Sequence, residues 1–157
     1  MANILWFDND PGPLKPYVEG LRMSGHAVTP VTTIADAKAA IGAQDFDLLI
    51  LDVMIPTKTE AEEAEYKPSE TDVGHKTGLV LYRKQREHLT KVGTRVLVLT
   101  VRPDSGIVAE FMEAGLPKSN FATKVTLREA RDFMAKVNEV LGQSVGAGQG
   151  AAGERKM

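Results

Sequence analysis

Cysteine is absent from the 157 residues. This excludes disulfide scaffolds, zinc-thiolate sites, iron-sulfur clusters and thiol nucleophiles, and it suits a reducing compartment. No apolar run approaches the roughly 18 residues of a membrane span. Met1-Ala2-Asn3 leads straight into a strand-like run, where a signal peptide would place a basic region ahead of its apolar core. A soluble, cytoplasmic monomer or small oligomer is expected. Neither sign of charge dominates: the net charge is -2, which gives no reason to expect nucleic acid or an anionic membrane as partner. What is present, 43% hydrophobic and 25% charged residues over this length, is the composition of one globular domain, and a two-domain enzyme is not expected.

Four short apolar runs read as buried strands: Ile4-Leu5-Trp6-Phe7, Leu48-Leu49-Ile50-Leu51, Val96-Leu97-Val98-Leu99 and the weaker Asn120-Phe121-Ala122-Thr123. A fifth, His26 to Val31, alternates and contains Pro30, which suits a sheet edge. The unbroken hydrophobicity of the others implies burial on both faces, as in a parallel sheet covered by helices. Helical spacing falls between them, over 14–24, 33–43, 78–89 and 105–114, and follows the last strand over 126–141. Gly25, Gly115 and Gly142 supply C-terminal caps. Thr33-Ile34-Ala35-Asp36 is a loose capping box, and Thr126-Leu127-Arg128-Glu129 a full one.

Strand and helix thus alternate five times, which predicts an α/β, flavodoxin-like doubly wound sandwich: a five-stranded parallel sheet of order 2-1-3-4-5 with five helices. The folded domain is expected over 1–142, with 143–157, rich in glycine and alanine, as a disordered tail. One stretch does not fit the repeat. Residues 57–77 carry six acids and three lysines, a net charge of -3, and a polar connection of this length is expected to be functional or mobile. Mobility without a partner is the expectation for this insertion, as a lid, a specificity element or an inert loop.

Ligands of open α/β sheets bind outside the carboxyl ends of the strands. The residues following the runs are therefore the informative ones: Asp8-Asn9-Asp10, Asp52, Thr100 and Lys124. Clustered carboxylates call for a hard, oxygen-preferring cation such as Mg2+. Asp52 is then a candidate carboxylate nucleophile that forms an acyl phosphate, with Thr100 and Lys124 binding phosphoryl oxygens. His26, His75 and His88 lack metal-ligand spacing.

These motifs resemble the receiver domains of bacterial two-component response regulators. Ile4 to Asp10 resembles the family's acidic first-strand motif, and Leu51-Asp52-Val53-Met54-Ile55-Pro56 its phosphoacceptor motif. Leu99-Thr100-Val101-Arg102 is similar to the switch-threonine motif, Phe121-Ala122-Thr123-Lys124 to the aromatic and lysine of the fifth strand, and Gly78-Leu79 to the opening of the third helix. The resemblance implies a stand-alone phosphorelay receiver whose Asp52 accepts phosphate from a sensor histidine kinase or a histidine phosphotransfer protein. It further implies that Asp8, Asn9, Asp52 and the Met54 carbonyl hold Mg2+, with Asp10 as an additional ligand. Thr100 and Lys124 would sense the phosphoryl group. Phe121 would move inward as the face formed by the fourth and fifth helices and the fifth strand changes for a downstream protein target.

Three positions depart from the family. Asn9 replaces an acid, Val101 a small residue and Val125 a proline, and a trans Lys124–Val125 bond is expected because cis costs about 2.5–4 kcal/mol without proline. They motivate an alternative, an adaptor pseudo-receiver that binds a partner without phosphorylation. A third reading is a haloacid-dehalogenase-type phosphatase, with Asp8 as nucleophile and Asp10 as general acid, although Gly12 and the missing downstream acidic motif disagree with it.

Overall fold

The computed structural model describes residues 2–8, 12–55, 59–71, 76–100, 105–123 and 130–142. Five strands, β1 (Asn3–Phe7), β2 (Ala27–Val31), β3 (Leu48–Leu51), β4 (Arg95–Thr100) and β5 (Phe121–Thr123), form one all-parallel sheet of order β2-β1-β3-β4-β5. This is the predicted order. Pro30 lies on the edge strand β2, where its missing N–H interrupts no central ladder.

Helices cover both faces. α1 (Lys15–Met23) and α7 (Ala130–Leu141) bury Val18, Leu21, Phe133, Val137 and Val140 against the Ile4, Trp6, Ile50 and Leu97 face. α2 (Ile34–Ala43), α5 (Thr77–Val92) and α6 (Ser105–Glu113) cover the Leu5, Phe7, Leu49, Leu51 and Val98 face. Trp6 stacks on Phe133 with ring centroids 5.3 Å apart.

The helix ends follow from local chemistry. Thr33 caps α2 by accepting from the Asp36 N–H at 3.1 Å, and Gly25 and Gly115, past the ends of α1 and α6, have φ of 96° and 108°. The 126–129 capping box and the 143–157 tail lie outside the described residues.

One expectation is corrected. Seven α-helices are present among the described residues rather than five, because the insertion carries α3 (Glu60–Glu65) and α4 (Pro68–Thr71). The described part of the insertion is attached to the body of the protein. Thr59 caps α3 through the Glu62 N–H, Glu62 reaches across to accept from the Ala35 N–H of α2 at 2.9 Å, and Tyr66 is fully buried in the core. A polar helix with one large apolar side chain docks through that side chain and through carboxylates that satisfy another helix's N–H groups.

Candidate functional site

Strand order reverses between β1 and β3, since the chain leaves β1 toward β2 through α1 and leaves β3 toward β4 through α5. The crevice at such a point is where doubly wound folds bind ligands. Asp8 and Asp52 sit at this point. Phe7 pairs with Leu51, so the two aspartates are the next positions in register on neighbouring strands, which run about 4.8 Å apart. Thr100 ends β4, the next strand over. All three are buried, with exposures of 2% for Asp8, 7% for Asp52 and 3% for Thr100, although polar residues at strand ends are ordinarily solvated.

Backbone contacts fix the aspartates. The Asp8 N–H donates to the Val31 carbonyl at 3.1 Å and the Asp52 N–H to the Phe7 carbonyl at 3.0 Å, extending the sheet one residue past its assigned strands. Asp52 Oδ1 accepts from the Val53 N–H at 2.8 Å, which orients the carboxylate. On the far side, the Gly78 N–H donates to the Val53 carbonyl at 2.9 Å. A Cβ at position 78 would stand 2.3 Å from the Asp52 carbonyl oxygen and 2.8 Å from the Val53 Cα. Glycine here lets the start of α5 press against the backbone of the aspartate.

The pair Asp8 and Asp52 fits a hard divalent cation. Two buried carboxylates one strand apart repel each other unless a cation or a proton compensates them. They have only oxygens to offer, the preference of Mg2+. Asp8 and Asp52 are the described carboxylates that would hold it. Among the described residues no cluster of three or more His, Cys, Asp or Glu side chains forms a metal site. Asn9, Asp10, Val101, Lys124 and Val125 lie outside the described residues. Phe121 is half-buried on β5 and meets Phe111 of α6 edge-on, with ring centroids 5.3 Å apart.

Two features of the surroundings were missed from the sequence. Glu62 and Tyr66 belong to the insertion, and Tyr66 was its only aromatic side chain, the one signal of an anchor. Thr77 carries no signal in the sequence, yet its hydroxyl donates to the Ile55 carbonyl at the base of the insertion.

No protein-family model matches the sequence, and no curated protein matches it in sequence. Solved structures do match. A response regulator receiver domain protein from Methanospirillum hungatei superposes with a TM-score of 0.67 at 20% identity, covering 90% of this chain and 94% of that one. A two-component response regulator from Clostridium difficile gives 0.67 at 17% identity over 90% and 96%. The BeF3-activated DrrB receiver domain gives 0.62 at 24% identity over 91% and 99%. The fold is that of response regulator receiver domains. Identities this low establish the architecture, and the chemistry has to be argued from the site.

Proposed function

We propose that this protein is a phosphorelay receiver that takes a phosphoryl group onto Asp52 and signals through protein contacts. One observation carries the reading: Asp8, Asp52 and Thr100 are buried together at the carboxyl ends of three adjacent strands, in a fold shared with receiver domains. The donor would be a sensor histidine kinase or a histidine phosphotransfer protein, and the setting the cytoplasm. No described helix is long and apolar enough to cross a membrane.

In the transfer, a carboxylate oxygen of Asp52 attacks phosphorus, an acyl-phosphate P–O bond forms, and the P–N bond of a phosphohistidine breaks with its electron pair returning to the imidazole nitrogen. An ionised carboxylate needs no general base. The Val53 N–H holds the Asp52 carboxylate in one orientation, so the nucleophile is positioned before the donor arrives. Bound Mg2+ supplies positive charge that offsets the paired carboxylates and the phosphoryl oxygens. Thr100 presents a hydroxyl to those oxygens, and Lys124, the residue after β5, an ammonium group.

The test is intact mass after incubation with acetyl phosphate and Mg2+, on wild type and Asp52→Ala. A gain of one phosphoryl group in the wild type and none in the variant is expected. No gain at saturating donor would refute the reading in favour of a pseudo-receiver adaptor. A phosphoryl group mapped to Asp8 would refute it in favour of the phosphatase-type chemistry.

A further inference from the structure

The insertion touches the body of the protein at two ends. At the first, the buried Glu62 carboxylate accepts from the Ala35 N–H in the first turn of α2, Glu65 pairs with Lys38 of the same helix, and Tyr66 is sunk in the core beneath Lys84 of α5, whose Nζ lies 5.6 Å from the ring centroid. At the second, Lys76 donates to Glu110 of α6 at 2.9 Å, with Arg83 of α5 at 3.5 Å from the same carboxylate. The Lys76 hydrogen bond is the main reason the Glu110 carboxyl is held below its usual range. The two ends are joined directly: the Lys76 N–H donates to the carbonyl of Thr71, a buried residue that ends α4, at 2.6 Å.

We propose that residues 59–71 and Lys76 form a strap that couples α2 to α6, so that loosening the strap at α2 loosens α6. The anchor is set for release. Tyr66 has a fully buried hydroxyl with no hydrogen-bond partner, and an unpaired buried hydroxyl weakens docking relative to a phenyl ring in the same place. The link at Lys76 is between half-exposed groups and is therefore modest and salt-sensitive. In a phosphoacceptor, a reading on which this consequence alone rests, α6 adjoins the β5 face that meets the downstream target. The strap then gives a molecule bound at α2 a route to that face that bypasses Asp52.

The experiment is hydrogen exchange by mass spectrometry on the unphosphorylated full chain, so its outcome is independent of whether Asp52 accepts phosphate. Tyr66→Phe should slow exchange across 59–71 by about tenfold. It should slow α6 over 105–113 by about two- to fivefold. Glu62→Gln should speed both, and Glu63→Gln, on the exposed side of α3, neither. In a Lys76→Met background, Tyr66→Phe should still protect 59–71 but no longer α6. Unchanged α6 exchange in Tyr66→Phe would overturn the coupling, and unchanged exchange of 59–71 would overturn the docking itself. Because Tyr66→Phe is expected to tighten the fold, a failure to fold cannot imitate the predicted result.

Discussion

Replacing Gly78 with alanine tests how closely α5 is pressed against the candidate phosphoacceptor. The new Cβ would lie 2.3 Å from the Asp52 carbonyl oxygen, 2.8 Å from the Val53 Cα and 3.1 Å from the Asp52 carbonyl carbon. All three are backbone atoms, so no rotamer change relieves the clash, and either α5 or the Asp52–Val53 peptide must move. Overpacking of this kind costs about 1–3 kcal/mol. Alanine's helix preference and the stiffer unfolded chain return at most about 1 kcal/mol. The net loss is about 1–2 kcal/mol, which for a domain of this size lowers the melting midpoint by about 2–8 °C. Gly20, inside α1, has nothing within 4 Å of its virtual Cβ, so Gly20→Ala isolates the propensity effect and should gain about 0.4–1 kcal/mol. Both variants can be followed by the fluorescence of Trp6, the single tryptophan, which is buried against Phe133. Because the relaxation displaces the backbone of Asp52, Gly78→Ala should also slow labelling by acetyl phosphate. A Gly78→Ala protein that melts at or above wild type, with Gly20→Ala behaving as expected, would refute the close approach.

Three further outcomes are expected. Asp8→Asn removes one of the two adjacent buried carboxylates that would hold Mg2+, so the rise in melting midpoint expected when Mg2+ is added to the wild type should be absent in the variant. His26 Nδ1 accepts from the Ala2 N–H at 3.0 Å, and burial lowers the pKa of the imidazole below its usual 6.5. The unfolded chain therefore takes up the proton first, and this part of the stability, complete above pH 6.5, is lost as the pH falls through the folded value; urea midpoints should flatten across this range in His26→Gln. Thr94 is buried and donates its hydroxyl to the Phe46 carbonyl at 2.6 Å, so Thr94→Val should lower stability by about 1–3 kcal/mol with an unchanged denaturant slope.

What the sequence revealed and what it hid follow from the range of the interactions involved. Leu48–Leu51 and Val96 to Leu99 are unbroken apolar runs because both faces of a central parallel strand are covered, and that makes them visible in a window of a few residues. Pro30 marked its strand as an edge for a reason confined to one residue. Asp8, Asp52 and Thr100 were legible for the same cause: each directly follows or ends such a run, and the topology of a doubly wound sheet brings those positions together. Asn120, placed in the last strand, instead ends a 3-10 turn (Lys118–Asn120) and donates from its buried amide to the Val96 carbonyl. α3 and α4 were hidden because their stability comes from elsewhere. Glu62 has its partner 27 positions away in Ala35, and no periodicity announces which distant N–H a glutamate satisfies.

The insertion is tolerated where it occurs because its stem is closed independently of its length. The Gly78 N–H donates to the Val53 carbonyl and the Thr77 hydroxyl to the Ile55 carbonyl, so the chain leaves and returns at a hydrogen-bonded base. The position of Asp52 is decided by that base and by the pairing of β3, not by what lies beyond Ile55. Lengthening a flexible loop is cheap, at about 0.6 kcal/mol per doubling. Burying one large side chain such as Tyr66 contributes about 1.5–3 kcal/mol, the scale of several doublings, before the cost of its unpaired hydroxyl is taken off. A segment of net charge -3 can therefore be carried beside a carboxylate site without displacing Asp52. Part of its charge is also paired, since Glu62 accepts from the Ala35 N–H of α2 and Glu65 pairs with Lys38. The insertion thus acts on the fold through its attachments to α2 and α6, and the geometry at Asp52 is left to Val53 and Gly78.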